Sequence, residues 1–102
     1  KNKLAEKNYS LAIDKASYRK ERFLIKRAQF FFETKKYQLA LKDFQSSRQL
    51  NKNYSKAWLG EVNSYVKLNN KNGAKKALTE YTKLKPNSKI ISSLKSEING
   101  LK

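Results

Sequence analysis

The chain has 102 residues and carries 24 Lys and Arg against 8 Asp and Glu, a formal charge of +16, with no Cys and no His. That length amounts to one domain with a modest core. The missing Cys removes disulfide frameworks and thiolate metal sites, and the missing His removes the commonest general base and a common metal ligand.

Hydrophobic spacing predicts about six helices. Residues 1–20 open with Leu4, Tyr9, Leu11, Ala12, Ile13 and Ala16, and the spacing predicts a helix over 8–18. A second helix is expected over 21–34, where Leu24, Ala28 and Phe31 recur at helical spacing with Ile25 and Phe32 on an adjoining strip. Thr34-Lys35-Lys36 makes a turn without glycine, and Tyr37–Leu50 forms the next helix with Ala40, Leu41, Phe44 and Ser47 inward. Asn51-Lys52-Asn53 ends it, Asn tolerating the left-handed conformation common at helix ends. Ser55 is the expected N-cap of a helix over Lys56–Leu68 carrying Trp58, Leu59, Val62, Tyr65 and Val66. Asn69-Asn70-Lys71-Asn72-Gly73 is the strongest turn signal, followed by a helix over Ala74–Lys85 that Pro86 stops. Ser88 is the expected cap of a last helix over 89–99 with Ile91, Leu94 and Ile98 in one stripe and Gly100 at its end.

These elements repeat. Shifted by about 34 residues, Leu24 falls under Trp58, Phe31 under Tyr65, Ala40 under Ala74 and Phe44 under Leu78. Trp58, Tyr65, Ala74, Leu78 and Pro86 stand at the spacings of a helix–turn–helix unit, with Leu78 in place of the usual aromatic residue, and the chain resembles the tetratricopeptide repeat (TPR) family. The Gly expected four residues after Trp58 is Val62, which would push the two helices of that unit slightly apart, whereas Ala28 satisfies the same position in the first unit. The resemblance implies an all-α solenoid in a single TPR-like domain. Residues 1–20 are a partial repeat, 21–54 and 55–88 full repeats, and 89–102 a capping helix, which solenoids need to cover their last open face. Lys7–Ile13 echoes Lys35–Leu41, so the N-terminal helix reads as the second helix of an upstream repeat, with an uncovered apolar face. The chain begins at Lys1 without Met, and we expect a fragment or processed product of a longer protein. Trp58 is expected in the core, where truncation to Ala costs about 3–5 kcal/mol.

No catalytic constellation emerges. The carboxylates are scattered among basic residues, Asp14 and Asp43 fall on separate helices, and the three glycines form no phosphate-cradling loop. No enzyme activity, metal or cofactor is expected. The resemblance instead implies protein–protein interaction, as a scaffold or adaptor. In the family the first helix of each repeat lines a concave face. Carried over by position, the lining is Arg22, Ile25, Gln29, Phe32 and Glu33, then Lys56, Leu59, Asn63, Val66 and Lys67. A clamp for a C-terminal carboxylate, known in some members, is incomplete: Lys56 and Asn63 suit it, while Ile25, Gln29, Ile90 and Leu94 do not.

The positive charge has two readings. It marks an acidic partner protein, nucleic acid or a membrane surface, or it reflects the A-rich codons of Lys and Asn in an AT-rich genome. Its spread along the whole chain favours the second. The densest basic stretch is Arg19, Lys20, Arg22, Lys26 and Arg27, the alternative anion-binding patch for nucleic acid or lipid headgroups. The terminal helices offer a route to self-association. No run of about 18 apolar residues occurs and no stretch resembles a signal peptide, though a removed one leaves no trace. Cytoplasm and bacterial cell envelope are both compatible.

Overall fold

The computed structural model of the protein describes residues 2–15 and 19–102. Among these residues there are six helices: α1 (Asn2–Lys15), α2 (Lys20–Glu33), α3 (Tyr37–Leu50), α4 (Ser55–Lys67), α5 (Lys71–Leu84) and α6 (Ile91–Asn99). Each packs on its chain neighbour, and α2 also touches α4 across the shared partner α3.

Two apolar clusters hold the stack. One joins α2, α3 and the start of α4 through Ile25, Ala28, Phe31, Ala40, Phe44 and Ala57. The other joins α4, α5 and α6 through Val62, Ala74, Ala77, Leu78, Tyr81, Ile91, Leu94 and Ile98. Ala28, Ala40, Ala57 and Ala74 are wholly buried, because only a methyl group fits where helix backbones approach closely.

The period of the sequence is visible in the backbone. Lys35 and Asn69, one period apart, are both left-handed, with φ of 64° and 57°. Each closes the same C-terminal motif. Lys36 N–H donates to the Phe31 carbonyl and Lys35 N–H to that of Phe32, while Asn70 and Asn69 donate to Tyr65 and Val66. These paired bonds satisfy the last carbonyls of α2 and α4. At the first turn Thr34 Oγ1 adds a bond to the Phe30 carbonyl at 3.0 Å.

Several expected boundaries are corrected. The N-terminal helix starts at Asn2 instead of residue 8, and Ala16 and the end of the expected helix lie outside the described residues. Its face carries the expected uncovered leucines, Leu4 at 64% and Leu11 at 44% exposure. Asn51 is extended (φ −147°) instead of left-handed, and its Oδ1 accepts the Asn53 N–H at 3.1 Å, a local turn that serves in place of the αL residue. Ser55 is the first helical residue of α4, Tyr54 holds the cap position, and no side chain caps that end. Ser88 is likewise not a cap. Its hydroxyl pairs with the Tyr81 hydroxyl at 3.0 Å, and Ile90 precedes α6. Helix α5 begins at Lys71 because Asn70 Oδ1 accepts the Gly73 N–H at 2.9 Å, an N-cap inside the predicted turn.

The largest departure is in α4. Its buried residues are Ala57, Gly60, Glu61, Val62 and Ser64, while Trp58, Leu59, Tyr65 and Val66 are only partly buried. This helix lies between α3 and α5 and therefore buries two faces. Ala57 and Gly60 meet α3, where a Cβ at Gly60 would run into the Phe44 ring. Trp58 is consequently not a core residue. Its indole N–H donates to the Lys52 carbonyl at 2.9 Å, and the Arg48 guanidinium lies 4.6 Å from its ring centre.

Candidate functional site

Helices α2 and α4 flank α3 on one side and leave a groove between them. One part, the apolar cleft, has a volume of about 480 Å³, with Gln29, Phe32 and Glu33 from α2, Lys56, Leu59, Gly60 and Asn63 from α4, and Phe44 of α3 beneath. Gly60 matters here because the missing side chain lets α4 settle on the Phe44 ring. Phe32 is fixed by an edge-on contact with Tyr37, ring centres 5.1 Å apart. The groove thus has an apolar middle between Phe32 and Leu59 and a polar rim of amide groups. Asn63 is partly buried there, while Gln29, Glu33 and Lys56 are exposed.

The groove continues toward the start of both helices. A second cleft of about 570 Å³ is lined by Arg19, Arg22, Phe23, Ile25, Lys26, Gln29, Tyr54 and Lys56. Gln29 and Lys56 line both parts. Cations therefore gather at one end of the groove, and the carboxylate of Glu33 stands at the other.

Two ionisable groups serve the fold. Arg27 donates from Nε to Asp43 Oδ2 at 2.7 Å and from Nη2 to Asp43 Oδ1 at 2.8 Å, a two-pronged pair tying α2 to α3. Its third bond goes to Ser10 of α1 at 3.1 Å. The bonded carboxylate of Asp43 raises the pKa of Arg27 above its ordinary value, against the opposing effect of burial. Glu61, 2% exposed, accepts from Arg48 Nε at 3.2 Å. Burial pushes its carboxyl pKa up, and the attraction of Arg48 only partly offsets that.

The expected site residues sort accordingly. Gln29, Phe32, Glu33, Lys56, Leu59 and Asn63 line the apolar cleft, and Arg22 lines the cationic one. Ile25 also lines the cationic cleft, but at 4% exposure it belongs mainly to the core and presents little surface. Lys67 is exposed and lines neither cleft. In the basic patch Arg19, Arg22 and Lys26 share the cationic cleft, whereas Lys20 is exposed outside it. Arg27 lies outside that cleft, and three of its N–H donors go to Asp43 and Ser10. Phe44 and Gly60 beneath the groove, and Tyr54 and Phe23 in the cationic cleft, were not anticipated. A glycine inside a helical stretch, costing about 1 kcal/mol against Ala, was the available signal for Gly60.

Among the described residues, no cluster of three or more acidic side chains could hold a metal ion, and no helix is long and apolar enough to cross a membrane. A family model described as tetratricopeptide repeat matches residues 31–98. That span covers the end of α2, all of α3, α4 and α5 and nearly all of α6, including the two left-handed turns that recur one period apart. The chain belongs to the tetratricopeptide repeat family. No curated relative matches it. TPR arrays generally mediate protein–protein interaction and are typically non-catalytic modules.

Proposed function

We propose that this TPR protein is a non-catalytic scaffold or adaptor module that binds a partner protein or peptide in the groove between α2 and α4. Its two full repeats span 21–54 and 55–88, with a partial repeat before and a capping helix after. The observation that carries this reading is the cleft itself. Phe32 and Leu59 flank an apolar slot over Phe44, and Gln29 and Asn63 stand at its rim. Apolar side chains of a partner gain by entering the slot, while rim amides pair with the backbone groups of an extended chain.

The test is retention of partners from nuclease-treated source-cell lysate at physiological salt, comparing wild type with Phe32→Ala/Asn63→Ala. The expected result is a protein held by wild type and lost with the variant, whose melting curve remains cooperative. Equal retention by both proteins would remove the groove as the binding surface.

A further inference from the structure

The groove is asymmetric, and the asymmetry specifies a ligand. At its entrance Arg22 and Lys26 of α2 stand with Lys56 of α4 around one cleft, in company with Phe23 and Tyr54. Arg22 and Lys56 form no hydrogen bond or ion pair with another side chain among the described residues, whereas Arg27 and Arg48 are paired with Asp43 and Glu61. No carboxylate lines this cleft, so an incoming carboxylate meets a positive potential that nothing in the lining opposes. At the far end the only charged side chain lining the apolar cleft besides Lys56 is Glu33.

The spacing is also set. Arg22 and Glu33 lie on the same helix, about 16 Å apart at 1.5 Å per residue. An extended peptide crosses that distance in about five residues. Lys26 and Phe32 are about 9 Å apart along the axis, which is two or three extended residues.

We infer that the groove takes an extended acidic peptide of about five residues. One or two of its carboxylates sit among Arg22, Lys26 and Lys56, and an apolar side chain two or three residues away enters between Phe32 and Leu59. This rests on the reading of the α2–α4 groove as a partner site and gives that partner its chemistry and register. A polyanion with evenly spaced phosphates fits less well, because it would set a charge against Glu33 and leave the apolar slot unfilled.

Selection of displayed random nonapeptides against the protein at physiological salt tests the inference. Three variants accompany it: Phe32→Ala in the slot, Arg22→Glu/Lys56→Glu at the entrance, and Lys75→Glu/Lys95→Glu on α5 and α6. The last two change net charge equally, so only the location differs. Selected peptides are expected to carry Asp or Glu with an apolar residue two or three positions away. Binding of a synthetic selected peptide should weaken about tenfold or more with the entrance variant and with Phe32→Ala, and should hold within about twofold with the outer pair. Equal weakening by both charge-reversal variants would mean bulk attraction and overturn the inference. Peptides without acidic bias that still depend on Phe32 would overturn it and leave the groove standing as a partner site. Peptides indifferent to every groove variant would overturn both. Recovery of no peptide, or tighter binding of a 15-nucleotide single-stranded DNA that the entrance variant abolishes, would also overturn it.

Discussion

The pair α2–α3 and the pair α4–α5 are built on one pattern yet are held together differently. Arg27 and Glu61 occupy the same place one period apart, and both reach toward α3. Arg27 meets Asp43, so its ion pair closes the α2–α3 pair on itself. Glu61 meets Arg48, so its ion pair joins α4 to the preceding unit. The same substitution of side chain between equivalent positions thus separates cohesion within a unit from cohesion between units. Leu24 and Trp58 diverge in a matching way: Leu24 is 5% exposed in the core, while Trp58 lies over Arg48 and bonds the Lys52 carbonyl at the junction.

The sharpest way to break this comparison is to remove Asp43. Asp43→Ala strips both prongs from Arg27 and leaves a partly buried cation unpaired. The expected loss is about 2–3 kcal/mol, below the ~3–5 of a fully buried pair because Arg27 keeps some access to water. Urea denaturation measures it, and a loss under about 0.5 kcal/mol would mean that the α2–α3 pair is held by its apolar contacts alone. Trp58→Ala ranks second. The indole is half-buried at a junction, so about 1–2 kcal/mol is expected in place of the about 3–5 typical of an enclosed aromatic. The same melts read it, and a loss near 4 kcal/mol would restore Trp58 to the core.

Glu61→Gln has the smallest effect and depends on pH. Burial raises the folded-state pKa of Glu61 above its ordinary value, so the folded protein favours the protonated carboxyl. Stability from this group is therefore fully present below the ordinary carboxyl pKa and is lost as pH rises through the raised one. Gln mimics the protonated form at every pH. The variant should match wild type at low pH and gain on it as pH rises through that window. Paired denaturation curves across the acid range check the sign, and a gap that widens toward low pH would contradict it.

Much of the architecture could be read from the chain because apolar residues at helical spacing mark it. Leu24, Ala28, Phe31, Ala40, Phe44, Leu78 and Tyr81 are buried where their spacing puts them. The two-sided burial of α4 was not legible. Its inner residues toward α3 are Ala57, Gly60, Glu61 and Ser64, small or polar types that give no hydrophobic signal. Trp58, the loudest residue of the helix, drew attention to the half-buried side instead. Capping was also hard to read, since Ser55 and Ser88 have the right chemistry, but among the starts of α2–α6 Asn70 alone caps a helix through its side chain. The groove could be outlined from the family resemblance. Its Phe44 floor could not, because that ring comes from α3, outside the first-helix positions that carried the outline.

The central claim is that the face between α2 and α4 receives the partner. A photo-crosslinking residue placed at Gln29, which lines both clefts, tests it most directly beside the same residue at Lys42, exposed on α3 and in neither cleft. Irradiation in source-cell lysate should give a discrete crosslinked species from position 29 and none from position 42. Crosslinks from position 42 alone, or the same species from both, would contradict the account.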